Sequence, residues 1–128
     1  MIVADTDVLI DFLRGRNPGA DRIAHELEAG LLATTAINRF ELLCGARTRR
    51  EQTPVLELLD ALALLPLNRQ AADRAAVVRR SLKENGIDIG MGDCLIAGIV
   101  LENNGILLTR NQRHFDRIEG LQLAQLTR

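Results

Sequence analysis

Short apolar runs alternating with longer amphipathic ones predict an α/β chain, a three-layer α/β/α arrangement around a short central parallel sheet. One observation is the set Ile2-Val3-Ala4, Leu31 to Thr35, Ala63-Leu64-Leu65 and Ile106-Leu107-Leu108, each too short for a helix and apolar enough for a strand covered on both faces. A second is that the intervening segments carry helical spacing and are long enough for crossover connections, which are right-handed between parallel strands. The third is that polar residues follow the strand-like runs, where a parallel sheet gathers its functional groups.

The elements follow in order. Ile2-Val3-Ala4 ends at Asp5, and Val8 to Leu13 has helical spacing, with Asp7 or Thr6 available to cap it. Pro18-Gly19 breaks the chain, and Ala20 to Ala29 reads as a helix stopped by Gly30. Leu31 to Thr35 is the second strand, and Thr34 or Thr35 caps a helix from about Ala36 to Ala46. Glu51 to Leu62 is a further helix before the strand Ala63-Leu64-Leu65. Gln70 to Glu84 is a long helix whose alanines permit close packing, ended by Asn85-Gly86. After a loop, a helix runs from about Met91 to Asn103 and stops at Asn104-Gly105. Ile106 to Leu108 is the fourth strand, and Leu121-Gln122-Leu123 a candidate edge strand.

Composition bounds the reading. A chain of 128 residues, 47% hydrophobic and 26% charged, suits one folded domain over residues 1–128 with its own core. No apolar stretch approaches a membrane span, and the opening residues lack a basic flank or cleavage pattern, so a cytoplasmic location is expected. Cys44 and Cys94 have no ligand spacing and are expected as reduced core residues. A net charge of −1 argues against wholesale electrostatic capture of nucleic acid. Fifteen of the sixteen basic residues are arginine, whose planar fork grips phosphate or carboxylate at two points.

Three acids stand where the sheet should collect side chains. Asp5 ends the first strand, Glu41 lies in the second turn of the helix after strand two, and Asp93 lies in the first turn of its helix. The turn Thr109-Arg110-Asn111 closes the fourth strand beside them. Carboxylates gathered at one edge repel unless a hard cation lies between them, and Mg2+ or Mn2+ takes such oxygen ligands together with water. Taken singly, each acid has an ordinary alternative: a helix cap for Asp5, a solvent-facing position for Glu41, a helix-dipole partner for Asp93.

Four blocks carry a family resemblance: Asp5 to Gly15 (DTDVLIDFLRG), Asn38 to Ala46 (NRFELLCGA), Gly90 to Ala97 (GMGDCLIA) and Leu107 to Ile118 (LLTRNQRHFDRI). Together they resemble a PIN domain, and among PIN domains the VapC toxins of type II toxin–antitoxin systems, over essentially the whole chain. The resemblance implies a Mg2+- or Mn2+-dependent ribonuclease restrained by a VapB-like antitoxin, cytoplasmic, forming a homodimer or a toxin–antitoxin hetero-oligomer. It puts Asp5 and Asp93 on the metal-binding aspartates and Glu41 on the acid that binds metal or orients the attacking water. Thr109 falls on the hydroxyl residue that supports the cluster, with Asn111 beside it as a hydrogen-bonding neighbour. The chain departs at His114, where many relatives carry an acid; one strongly held ion is therefore expected, with His114 facing solvent or phosphate. Asp7 is expected to cap the first helix, and Asp11 to pair with Arg14 one turn on.

Phe12, Phe40 and Phe115 are the only aromatic residues, with Phe12 and Phe40 expected in the core, so base stacking has little to work with. Arginine contacts to phosphate and the shape of a folded RNA would have to serve. Two other readings remain: a PIN-like module that binds partners without cutting, and, on the Asp5-Thr6-Asp7-Val8 opening, a phosphatase with an aspartate nucleophile.

Overall fold

The apolar runs become strands because β-branched and aliphatic side chains can be covered from both sides only in the middle of a layered sheet. In the computed structural model, which describes residues 1–127, the order is β1 (Ile2–Ala4), α1 (Thr6–Arg14), α2 (Gly19–Ala29), β2 (Leu32–Thr35), α3 (Ala36–Gly45) and α4 (Arg49–Asp60). It continues with β3 (Ala63–Leu65), α5 (Arg69–Glu84), α6 (Met91–Glu102), β4 (Ile106–Leu108), α7 (Gln112–Phe115) and β5 (Gln122–Leu123). The five strands form one sheet in the order β3-β2-β1-β4-β5, every neighbouring pair parallel.

That order fixes where a ligand can sit. The chain moves outward from β1 through β2 to β3, then returns across the sheet to place β4 on the other side of β1. The direction of winding reverses between β1 and β4, and a crevice opens beyond the carboxyl ends of strands at such a reversal. Asp5 and Thr109 are the residues that follow β1 and β4. The Asp5 N–H bonds the Leu108 carbonyl at 2.9 Å, so the two strand ends are joined at that point.

Successive strand residues face opposite ways and divide the core in two. Val3, Ala33 and Leu107 pack under α5 and α6, whereas Ala4, Leu32 and Leu108 pack under α1, α2 and α4. The α5–α6 contact is unusually close. A Cβ on Gly98 would lie 2.5 Å from the Ala71 carbonyl oxygen and 2.6 Å from the Ala75 Cβ, so only glycine fits. No helix among the described residues is long and apolar enough to cross a membrane.

The structure corrects several expectations. Asp5 caps α1, because Thr6 and Asp7 already lie inside the helix and Asp5 holds the extended backbone an N-cap needs. Phe40 is 66% exposed, and Cys44 is exposed too. The cause is the phase of α3: its capping box at Thr35 and Asn38 turns Asn38 and Leu42 inward, which sends Phe40, Glu41 and Cys44 outward. Phe12 is only partly buried, and Phe115 is the fully buried aromatic. Thr48 and Asn68 cap α4 and α5, so both helices begin before the apolar pattern does. The short α7 was not expected; its four residues offer no helical period to read.

Candidate active site

Asp5 is the centre of the crevice. It is almost wholly buried, and its oxygens accept bonds from the Thr6 N–H at 2.8 Å, the Asn38 side-chain amide at 2.9 Å and the Thr109 hydroxyl at 2.7 Å. Burial disfavours the charged form and raises the Asp5 pKa from an ordinary 3.8 to about 6. The Thr109 hydroxyl and the Thr6 amide oppose this rise, and the negative charges of Asp7 and Asp93 add to it. That last contribution shows that Asp93, from the other side of the sequence, bears on the same crevice.

A chain of hydrogen bonds ties Asp5 to Glu41. Thr35 donates its hydroxyl to the Asn38 Oδ1 at 2.6 Å, and the Asn38 amide nitrogen donates both to Asp5 and, at 2.9 Å, to the Thr6 hydroxyl. Thr6 in turn donates to the Glu41 Oε1 at 2.6 Å. Asn38 is completely buried and each of its polar atoms has a partner, as a buried amide must. The other Glu41 oxygen lies 3.7 Å from where a Cβ on Gly92 would stand, so Glu41 reaches the start of α6 next to Asp93. Asn38 and Thr6 were not anticipated in this role. Two signals pointed to Asn38: the Thr35-x-x-Asn38 capping pattern, and its position one helical turn before Glu41.

Asp93 lies in the first turn of α6 and pairs with the Nδ1 of His114 at 2.6 Å. His114, expected to face solvent or phosphate, is 43% exposed and also pairs with that carboxylate, beside the buried Phe115. Asp7 also joins the cluster rather than capping its helix. Its Oδ2 accepts the Arg110 N–H at 3.0 Å and lies 3.3 Å from the Thr109 hydroxyl, and burial raises its pKa. Asn111 contributes its main chain, whose N–H donates to the Thr109 Oγ1 at 3.0 Å. Asp11 pairs with Arg110 and not with Arg14, since it points inward from α1 while Arg14 is exposed.

Among the described residues no group of three His, Cys, Asp or Glu side chains is arranged to hold a metal ion. The carboxylates are turned to internal donors: Asp5 to Asn38 and Thr109, Glu41 to Thr6, Asp93 to His114. The donor chemistry nevertheless fits a hard cation. The cluster offers carboxylate oxygens, includes a buried Asp7 Oδ1 with no hydrogen-bond partner among the described residues, and holds Asp5 with its pKa raised first by burial and then by the like charges of Asp7 and Asp93. Mg2+ needs only one or two carboxylates because it keeps its waters. A groove of about 780 Å3 between α5 and the α6–β4 turn is lined by none of these acids.

Comparison with known proteins decides the family. The PIN domain family model matches residues 2–121. Ribonuclease VapC10 of Mycobacterium tuberculosis is 34% identical over 122 residues, covering 95% of this chain and 91% of that protein. This chain belongs to the PIN-domain VapC family. A more distant relative, the tRNA(fMet)-specific endonuclease VapC of Shigella flexneri, is 25% identical over 122 residues and covers 92% of each chain. Among solved structures, VapBC-1 from nontypeable Haemophilus influenzae superposes with a TM-score of 0.86 at 27% identity over 100% of both chains. Within this VapC-family chain, the four sequence blocks supply the crevice as Asp5, Asp7, Asn38, Glu41, Asp93 and Thr109.

Proposed function

We propose that this chain is a ribonuclease acting as the toxin of a toxin–antitoxin pair, hydrolysing RNA phosphodiester bonds with a divalent ion, Mg2+ or Mn2+, held by Asp5 and Asp93. The observation that carries the reading is the convergence of three distant acids on one crevice: Asp5 is bonded through Asn38 and Thr6 to Glu41, and Glu41 reaches Gly92, next to Asp93. The names of the VapC relatives, ribonuclease and tRNA(fMet)-specific endonuclease, agree with it.

When bound, a divalent ion would polarise a phosphoryl oxygen and make water a better nucleophile near neutral pH. The chain's own residues supply the rest. Glu41 orients the attacking water and accepts its proton, with Thr6 fixing one carboxylate oxygen and leaving the other open to the crevice. Thr109 and Asn38 keep Asp5 in one orientation, and Asn111 fixes Thr109 through its main chain. His114 holds Asp93 at the start of α6. The partner is a VapB-like antitoxin, in line with the neighbouring VapBC complex, and a homodimer is the expected assembly of the toxin alone.

The phosphatase reading lacks its lysine. Lys83 lies in the last turn of α5, and among the described residues it makes no hydrogen bond or ion pair with Asp5, whose side-chain partners are Thr6, Asn38 and Thr109. The test is incubation of the purified chain with labelled transfer RNA and magnesium, beside Asp5→Asn and Asp93→Asn. Cleavage that EDTA and both substitutions abolish supports the ribonuclease; intact RNA in every lane would leave a non-cutting module.

A further inference from the structure

Arg110 stands on the segment that holds Asp5, directly after Thr109, and its own N–H is bonded to Asp7. Its Nε donates to the Asp11 Oδ2 at 2.8 Å. Asp11 is an odd residue to find on the inner face of α1. Its side chain is only 6% exposed, and it lies so close to α2 that a Cβ on Gly19 would come within 2.7 Å of its carboxylate. A buried carboxylate is costly unless a cation meets it, so the chain keeps it for what it does to Arg110. As a surface fastener the pair would contribute little, because the Arg110 side chain is 49% exposed.

A guanidinium has N–H groups in a fixed fork, and engaging Nε leaves the outer nitrogens directed away from the carboxylate. Here that free edge belongs to a half-exposed side chain beside a crevice lined by Asp5, Asp7, Glu41 and Asp93. Beside the divalent ion proposed above, the side chains lining this crevice are carboxylates, so a fixed cation at its edge is what would receive a neighbouring RNA phosphate. Among the described residues Asp7 makes no ion pair with the Arg110 side chain, although the two charges attract: one oxygen takes the main-chain N–H, and the other has no hydrogen-bond partner.

We infer that Arg110 grips an RNA phosphate next to the cleavage position, and that Asp11 is the positioning residue that holds its guanidinium in place. The inference rests on the ribonuclease reading above and adds a substrate-binding residue to it. Phosphate contacts position a nucleic acid without reading its sequence, so the effect should be the same for unrelated RNAs.

The test is fluorescence anisotropy with fluorescein-labelled transfer RNA and an unrelated labelled RNA hairpin, in EDTA so that neither is cut, over a salt series. Arg110→Ala should weaken both RNAs about tenfold and reduce the slope of log affinity against log salt by about one. Arg110→Lys should recover the slope but only part of the affinity, since lysine lacks the fork. Asp11→Asn should keep the slope and lose about threefold in affinity, the charge remaining but its tie weakened. Melting curves for each variant show whether the fold is kept. Arg110→Ala with a lower melting temperature and an unchanged salt slope would make Arg110 a structural fastener and overturn the inference. Unchanged affinity in Asp11→Asn would overturn the positioning role. Failure of the parent protein to bind either RNA in EDTA, together with no cleavage of them in magnesium, would instead overturn the ribonuclease reading on which the inference stands.

Discussion

The two flanks of the acidic crevice are built differently. On the α1–α3 flank, Thr35, Asn38, Thr6, Asp5 and Glu41 form an unbroken run of hydrogen bonds, with Asn38 and Thr35 fully buried. On the α6–α7 flank, Asp93 has one side-chain partner among the described residues, His114, and the two side chains are 21% and 43% exposed. The difference teaches where the crevice is rigid. One flank is fixed at Thr35, Asn38 and Asp5 by buried groups that have no alternative partner, and a satisfied polar network of that kind allows one arrangement. The other flank is held by a single solvent-accessible pair, which water can replace at little cost. On the proposed metal reading, Asp5 is therefore the preorganised ligand and Asp93 the adjustable one.

Substitutions should divide along the same line. The largest effect is expected for Asn38→Ala, which strands Asp5, Thr35 and Thr6 without their donor or acceptor and should cost about 4 kcal/mol in a denaturant melt, with RNA cleavage lost. A loss below about 1 kcal/mol would mean the buried run is not what fixes this flank.

Asp5→Asn should act in the opposite direction on stability. The native pKa of Asp5 is about 6 against 3.8, so between those values the folded chain holds more protons than the unfolded one. Its burial costs nothing below pH 3.8, and the penalty grows as pH rises and is complete above about 6. Without metal, Asp5→Asn should thus be more stable than the parent at neutral pH by up to about 3 kcal/mol, and the gap should close on acidification toward pH 4. The amide can be accommodated: its nitrogen can face Thr109, whose hydroxyl can turn to Asp7. A gap that does not change with pH would deny that Asp5 is buried as a charge.

The smallest effect belongs to the adjustable flank. His114→Gln should change stability by less than about 1 kcal/mol, because the pair it breaks is partly exposed. A cost as large as that of Asn38→Ala would erase the contrast between the flanks.

Much of this was legible in the sequence. Strand runs, helix stops at glycine and the four acid-bearing blocks follow from local chemistry, and Asp5, Glu41, Asp93 and Thr109 do meet at one edge. The partners of those acids were less so. Asp11 reads as an ordinary i,i+3 mate of Arg14, yet it pairs with a residue ninety-nine positions later, which only the adjacency of α1 to the β4–α7 turn could reveal. Phe40 and Cys44 look like core residues by hydropathy, but the capping box at Thr35 sets the phase of α3 and rotates them outward. His114 gave no sign of its bond to Asp93, since the residues lie in different elements and share no spacing.

The central claim is that Asp5 and Asp93 serve one ion. Calorimetric titration of Mn2+ into the parent, Asp5→Asn, Asp93→Asn and the double variant addresses it without relying on cleavage. The parent should bind one ion per chain, either single variant should lose at least about tenfold in affinity, and the double should lose little more. Asp93→Asn binding Mn2+ as tightly as the parent, or losses that simply add across two independent ions, would contradict it.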